Sequence, residues 1–461
     1  MRLFGHYVRR MTVFLCFLEG MIFGMAFLAV SRFVAQPAGS PLSLETFLEV
    51  AVAPAGLLFL TTVAFGAYNI DMLQSARTAT PRLIAAAVLG GAALVFVIAT
   101  GISSQLSPVQ MIMAEAAALP LIVLGRMSLR RLTVVPVFRS RALVLGTGRR
   151  AQRVWEALSG DRLGRLAGFV DVNPDSAGHP LVPTARVLPR QGSLVALARA
   201  SNVDQLVIAL DDQRGALPMD ELLECRMQGM TVRNASAFLE RETGKVDLET
   251  MRPSWLVFDE DFTSGRTSDF CKRALDIAAG TGLLVLLAPM LLLTALLIKL
   301  DSPGPVFYRQ VRVGLGGRPY EIIKFRSMRN DAEKDGRAIW AQAGDPRVTR
   351  VGSILRKSRI DEIPQAFNVL KGEMSFVGPR PERPSFVADL AEEIPYYNER
   401  HRVKPGITGW AQINYPYGAS VEDARQKLRY DLFYIKNKSL LYDLIVMLQT
   451  VRIILFAEGS R

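Results

Sequence analysis

The chain has 461 residues, half of them hydrophobic and 21% charged, with a mean hydropathy of +0.21 and a net charge of +12. That composition can bury a core and excludes intrinsic disorder for most of the chain, and its positive hydropathy argues against an ordinary water-soluble enzyme. At about 150 residues per domain the length predicts roughly three units, and Cys16, Cys225 and Cys271 lie too far apart in sequence to support a disulfide framework or a zinc site.

The first 135 residues carry four apolar stretches, near 11–33, 50–68, 83–101 and 108–125. A membrane-crossing helix needs about 20 such residues, and the turn-forming run from Gly101 to Pro108 divides the last two. Arg2, Arg9 and Arg10 precede the first stretch, Arg77 and Arg82 separate the second from the third, and Arg126, Arg130 and Arg131 follow the fourth. Basic loops stay in the cytoplasm, so both ends of this four-helix transmembrane bundle are expected there. A cleaved signal peptide fits the first stretch less well, because three more follow it. Glu19 and Glu115 fall at membrane depth, as partnered interhelical carboxyls or as functional ones.

Residues 140–250 read as a Rossmann-like α/β domain. A short apolar strand from Arg141 to Leu145 runs into Gly146-Thr-Gly148-Arg-Arg-Ala151 and a helical pattern. A second strand follows from Leu166 to Val172, with Asp171 twenty positions after Ala151, and a third from Gln205 to Leu210. Gly146, Gly148 and Asp171 match a dinucleotide fingerprint: glycines permit the tight turn and close phosphate approach, and the acid meets a ribose hydroxyl. Such a loop also survives in domains that have lost their ligand, so these three residues mark a vestigial or a working nucleotide site. Two Tyr-x-x-x-Lys pairs, Tyr320/Lys324 and Tyr434/Lys438, lie outside this domain and read as chance matches. Asp259-Glu-Asp261 falls in the polar linker 251–271 and reads as a solvated acidic turn.

A fifth apolar run of 22 uncharged residues lies between Asp276 and Lys299. Pro289 near its middle removes a helical hydrogen bond and predicts a break. Both flanks are basic, with Lys272 and Arg273 before and Lys299, Arg309 and Arg312 after. Both ends therefore favour the cytoplasm, and a re-entrant helix near 274–299 is expected in place of a fifth span.

Beyond it stand four clusters: Lys324-Phe-Arg326-Ser-Met on a strand from Tyr320 to Phe325, Arg356-Lys-Ser-Arg359-Ile-Asp361-Glu362-Ile-Pro-Gln365, Gly378-Pro379-Arg380-Pro381-Glu382, and Lys404-Pro-Gly-Ile-Thr408-Gly409-Trp410. Lys and Arg suit phosphate oxygens, and prolines around Arg380 would hold its backbone stiffly. Adjacent carboxylates in that setting suit Mg²⁺ and nucleophilic attack on phosphorus. An isolated Asp-Glu pair is more often an exposed helix turn; the neighbouring clusters are what raise Asp361-Glu362 above that. Leu440 to Phe456 suits a helix on the membrane surface or a core helix, and Trp410, Tyr415 and Tyr417 suit either headgroup level or the core.

From Lys272 to the C-terminus the sequence resembles the bacterial sugar transferase family, the monotopic phosphoglycosyl transferases. The stretches that carry the likeness are Lys272-Arg-Ala-Leu-Asp276, Ser302-Pro-Gly-Pro-Val-Phe307, Lys324-Phe-Arg326-Ser-Met, Asp361-Glu362-Ile-Pro-Gln365, Phe376-Val-Gly-Pro-Arg380-Pro-Glu382 and Pro405-Gly-Ile-Thr-Gly-Trp410. Over its whole length the chain is similar to the large, exopolysaccharide-type subgroup. The resemblance implies a mainly helical α+β transferase domain over 272–461, a UDP-sugar and polyprenyl phosphate as substrates, and Mg²⁺ as cofactor. It implies Asp361 as nucleophile, Glu362 for metal and acid/base work, Lys324, Arg326, Arg356 and Arg380 as phosphate contacts, and Asp431, Pro379 and Pro381 as further active-site residues. In the family a Ser precedes the helix-breaking proline; here Ala288 does, and one stabilising hydrogen bond is lost.

The expected protein is thus a multi-pass enzyme of the bacterial inner membrane, with both globular domains on the cytoplasmic side. Membrane lipid is an expected partner, a homodimer and polysaccharide assembly proteins are compatible ones, and nucleic acid is not. The charge supports this: residues 1–140 carry +5, 141–271 carry −2 and 272–461 carry +9, which is no general basic coat. Rival readings are a membrane-tethered NAD-dependent sugar-nucleotide enzyme and a non-catalytic assembly scaffold.

Overall fold

The computed structural model of the protein describes residues 2–3, 6–7, 10–35, 56, 61–62, 83–88, 90–91, 108–133, 141–158, 166–172, 180–190, 192–212, 217–249, 251, 266–329, 345, 347–416, 418 and 420–456. The expected second span lies almost wholly outside these residues, as does much of the third, and so do Asp259-Glu-Asp261 and Tyr417. The chain forms two compact units, Arg131–Pro253 and a second that combines Met1–Arg130 with Ser254–Arg461.

The Arg131–Pro253 unit is built on a five-stranded parallel sheet. After a small antiparallel pair at the N-terminus, β1 (Arg2–Leu3) and β2 (His6–Tyr7), its strands are β3 (Ala142–Leu145), β4 (Leu166–Val170), β5 (Val187–Leu188), β6 (Gln205–Ile208) and β7 (Thr231–Asn234). Their order across the sheet is β5-β4-β3-β6-β7. Every residue of β3 is buried, as a central parallel strand covered on both faces requires. Ala142, Val144 and Val207 pack with Ala151, Val154, Phe238 and Leu239 on one face. Leu143, Leu145 and Leu206 pack with Leu194, Ala198, Leu222 and Cys225 on the other.

In the other unit the first and fourth apolar stretches fall in helices Arg10–Ala35 and Pro108–Thr133. Phe23 and Phe27 of one meet Ala114, Ala118 and Ile122 of the other. The fifth run is two helices, Arg266–Leu286 and Ala288–Asp301, bent by 63°. Pro289 sits in the first turn of the second helix, where its missing N–H costs nothing, so the helix restarts there in a new direction. Among the described residues no single helix is long and apolar enough to cross a membrane, although the bent pair taken together meets that measure.

The region from Arg266 to Phe456 is otherwise held by two small sheets and short helices. An antiparallel hairpin pairs β8 (Phe307–Val313) with β9 (Pro319–Phe325), with Tyr308 opposite Lys324. A parallel pair joins β10 (Ser375–Val377) to β11 (Gly406–Thr408). The Lys272-Arg-Ala-Leu-Asp276 stretch ties the bent pair to this framework. Lys272 Nζ reaches Asp443 Oδ2 at 2.6 Å and Val377 O at 3.3 Å. Arg273 donates to Val369 O and Leu370 O at 2.6 and 2.7 Å, at the C-terminal end of helix Gln365–Lys371. The buried Asp276 accepts from Ser375 Oγ and Phe376 N. Helix Leu440–Phe456 packs inward through Tyr442, Asp443 and Val446, which are buried, and leaves Leu444, Val451 and Ile454 exposed.

Candidate active site

Four segments converge on Asp361 and Glu362. The first is the end of β9, which carries Lys324. The second is helix Arg350–Lys357, capped by Thr349 Oγ1 and bearing Arg356 in its last turn. It ends in Arg359, which adopts a left-handed backbone (φ 60°), a conformation a non-glycine residue holds only when its surroundings enforce it. That reversal turns the chain into the short 3₁₀ segment Ile360–Glu362, so the two acids point inward and do not sit on an exposed helix turn. Their exposures are 9% and 7%.

The third segment is Gly378 to Glu382. Its prolines offer no N–H, and its carbonyls are taken by neighbours. Pro379 O accepts from Gly406 N at 2.9 Å, Arg380 O from Arg400 Nη2 at 3.0 Å, Pro381 O from Arg312 Nη1 at 3.2 Å and Glu382 O from Val313 N at 3.0 Å. The backbone beneath Arg380 is therefore fixed before any ligand arrives, which is preorganisation in the physical sense. The fourth segment, helix Val421–Lys436, presents the buried Asp431.

Glu362 is the anionic hub. Its Oε1 accepts from Lys324 Nζ at 2.9 Å and Arg380 Nη2 at 2.6 Å, and Arg359 Nη1 stands 3.6 Å from Oε2. Burial alone would raise its pKa, but Arg380 and Lys324 outweigh burial and hold Glu362 well below the usual carboxylate range. Asp361 behaves oppositely. Burial and the adjacent Glu362 charge push it up to about 6 against the opposing pull of Lys324, Arg380 and Arg356. Two neighbouring acids with pKa values pushed apart are a recurrent arrangement for divided chemical roles. Burial lowers the pKa of Lys324 despite Glu362 beside it.

Beside the pair lies an open cleft lined by Arg359, Arg380, Arg400, Gln412, Lys427 and Asp431 among others. Arg400 is buried and organises it, donating to Asp431 Oδ2 at 2.8 Å, Tyr397 Oη at 2.6 Å and Arg380 O at 3.0 Å. Burial raises the pKa of Asp431 to about 6 even with Arg400 in contact. The cleft thus combines fixed cations with the buried Asp431 carboxyl, a composition suited to a phosphorylated ligand. Among the described residues no three His, Cys, Asp or Glu side chains stand together as a metal cage. The Asp361–Glu362 pair still fits Mg²⁺, which takes one or two carboxylates and completes its shell with substrate phosphates and water.

Of the residues anticipated from sequence, Lys324, Asp361, Glu362, Pro379, Arg380 and Pro381 come together, Arg356 bears electrostatically on Asp361, and Asp431 joins through Arg400. Arg326 does not. The strand ends at Phe325, so the alternation that would place Arg326 beside Lys324 stops. Its buried guanidinium instead donates to Pro303 O at 2.9 Å and Ser302 O at 2.7 Å, securing the end of helix Ala288–Asp301. Tyr320 and Lys324 lie on a strand, and the Tyr434 hydroxyl donates to Asp443 Oδ1, so neither Tyr-x-x-x-Lys pair forms a dehydrogenase dyad. Trp410 packs against Phe433 and Tyr442 in an aromatic cluster. No local motif marks Arg400 or Lys427, and the sequence shows Arg312 only as a basic flank of the fifth apolar run.

The buried carboxylate pair, the stiff arginine segment and the cationic cleft define a phosphoryl-handling site appended to a bent apolar helix. The chain belongs to the bacterial sugar transferase family, whose model matches residues 267–457. It is 45% identical over 240 residues to a UDP-N-acetylgalactosamine-undecaprenyl-phosphate N-acetylgalactosaminephosphotransferase of Aeromonas hydrophila, covering 52% of this chain and 56% of that protein. It is 47% identical over 195 residues to a UDP-glucose:undecaprenyl-phosphate glucose-1-phosphate transferase of Caulobacter vibrioides, covering 42% and 72%. A third relative, the exopolysaccharide production protein PSS of Rhizobium leguminosarum bv. phaseoli, is 44% identical over 185 residues, covering 39% and 92%. The match thus spans little more than half the length of the first of these relatives.

Proposed function

We propose that this protein transfers a sugar-1-phosphate from a UDP-sugar to polyprenyl (undecaprenyl) phosphate, releasing UMP, as the first membrane step of exopolysaccharide repeat-unit synthesis. The observation that carries the reading is the buried Asp361–Glu362 pair, with Lys324 and Arg380 fixed around it. The relatives' named activities support it, and because they name different sugars the sugar stays unassigned.

In the proposed first step an Asp361 carboxylate oxygen attacks the β-phosphorus of the UDP-sugar. The bond from that phosphorus to the bridging oxygen breaks, and UMP leaves with the electron pair. The sugar-phosphate is then an acyl phosphate on Asp361. In the second step an oxygen of polyprenyl phosphate attacks the same phosphorus, the acyl phosphate bond breaks, and the Asp361 carboxylate is regenerated. Splitting the transfer lets one cationic clamp serve both displacements. Lys324 and Arg380 neutralise charge on the transferring phosphoryl group, Arg356 favours the ionised form of Asp361, and Arg400 holds Asp431 and the Arg380 backbone in place. Mg²⁺, when bound, would be held by Asp361, Glu362 and diphosphate oxygens and would neutralise charge developing on the leaving phosphate.

The same reading makes the bent pair Arg266–Leu286 and Ala288–Asp301 a re-entrant helix. Support comes from its 63° bend and from its exposed Val285, Leu286, Leu292, Leu293, Leu296 and Leu300, an apolar face that suits lipid. The stretches near 11–33, 50–68, 83–101 and 108–125 then form the membrane bundle, with the catalytic region on the cytoplasmic side of the inner membrane. The test is UMP release from membranes given a panel of UDP-sugars. Asp361→Asn is expected to lower it by about 10³-fold or more; turnover at the wild-type rate sinks the assignment.

A further inference from the structure

We infer that the nucleotide cradle of the Arg131–Pro253 unit is filled from within by the Asp211 carboxylate, so that this Rossmann-like unit holds no dinucleotide at its glycine loop. In an open parallel sheet a ligand binds beyond the carboxyl ends of the strands, where the strand order reverses. In the order β5-β4-β3-β6-β7 that place is the crevice between β3 and β6. Its walls are the loop after β3, from Gly146 to Gly148, and the segment after β6, from Ala209 to Asp212.

The two walls touch. Gly146 has a φ of +118°, and a Cβ there would lie 2.7 Å from Ala209 O. Arg149 N and Arg150 N, the first amides of helix Arg149–Ala157, donate to Asp211 Oδ2 at 2.8 Å and Oδ1 at 2.9 Å. These are the donors, at the positive end of the helix, that a pyrophosphate takes in a working domain. A Cβ at Gly148 would collide with Asp211 Oδ2, so the glycine that elsewhere makes room for a phosphate here makes room for a carboxylate. Arg150 Nη1 donates to Leu210 O at 3.1 Å and holds the Asp211 segment in place. On the far side, Leu181 N donates to Thr147 O at 2.9 Å and Thr147 Oγ1 to Asp171 Oδ2 at 3.4 Å, so the acid expected at a ribose is engaged by the loop itself. A diphosphate entering this crevice would meet no free first-turn amide from Arg149 or Arg150 and would face the charge of Asp211.

Two measurements on the purified full-length chain test this. In hydrogen–deuterium exchange, Asp211→Ala is expected to speed exchange of the Arg149 and Arg150 amides by about tenfold. In the wild type, NADH fluorescence titrated in the presence of excess UDP, which occupies the transferase cleft, is expected to show no saturable component. Unchanged exchange in Asp211→Ala, or saturable NADH binding to the wild type, overturns the inference. The titration needs no variant and stands even if Asp211→Ala fails to fold.

Discussion

Asp361 and Glu362 are sequence neighbours with opposite electrostatic fates, and the difference has measurable consequences. With Asp361 raised to about 6, the proposed nucleophile is lost to protonation as the pH falls. UMP release per unit enzyme is expected to drop about tenfold per pH unit below roughly pH 6, in a profile recorded at UDP-sugar well below KM, where the free enzyme's groups are read. A flat profile down to pH 5 contradicts the assignment. The same shift bears on stability. A carboxyl whose pKa is higher folded than unfolded favours the fold fully below its ordinary value of 3.8, and that contribution is lost as the pH rises through about 6. At pH 7 the ionised Asp361 therefore strains the fold. Asp361→Asn is expected to raise thermal stability, by up to about 3 kcal/mol, while abolishing turnover. A variant both inactive and clearly less stable would show the loss to be one of folding.

Arg400 shows what sequence alone could not reveal. It lies in a polar run, Asn398 to Arg402, with nothing to distinguish it from its charged neighbours. Its role arises because helix Val421–Lys436 returns to bury Asp431 against it. Removing the arginine by Arg400→Ala leaves that carboxyl buried and unpaired, at an expected cost of about 3–5 kcal/mol near pH 7 in thermal or denaturant unfolding. The loss should shrink as the pH falls towards 6, because Arg400 lowers the Asp431 pKa and without it that carboxyl takes up its proton at a higher pH than about 6. By contrast Arg380 is legible from its two flanking prolines, because a residue between two fixed-φ neighbours has few ways to move. Arg326 stands apart from Lys324 for a local reason, the end of β9 one residue before it.

At the scale of elements, period and punctuation carried most of the fold. The buried strands β3, β4 and β6 and the hairpin strand β9 were visible as apolar runs, whereas β5 has only two residues and β7 reads Thr-Val-Arg-Asn, too polar to signal a strand. The bend at Pro289 was visible because proline acts through covalent geometry and needs no tertiary context. If the bent pair is re-entrant as proposed, restoring an unbroken helix with Pro289→Leu is expected to convert re-entry into crossing. A cysteine at Leu300, protected from impermeant reagents added to the outside in the otherwise native chain, should then become labelled from outside. No change in labelling would mean that the bend is set by the surrounding contacts and not by the proline.

At the scale of the whole molecule, the division into two compact units joins the N-terminal helices with the transferase. Apolar patterns identify such helices but not which faces meet. Ala86, for example, packs with Leu448 of the last helix, a pairing no local pattern encodes. The charge distribution is more informative, because the +9 of residues 272–461 includes the cations that gather around one pair of acids.

The ties made by Lys272, Arg273 and Asp276 reach strand β10 and the helix before it, and β10 runs without a joint into Gly378-Pro379-Arg380. The bent helix and the Arg380 segment therefore belong to one hydrogen-bonded framework. If the bent helix is re-entrant as proposed, its depth in the bilayer and the height of the Arg380 guanidinium are expected to vary together, so that activity would depend on bilayer thickness.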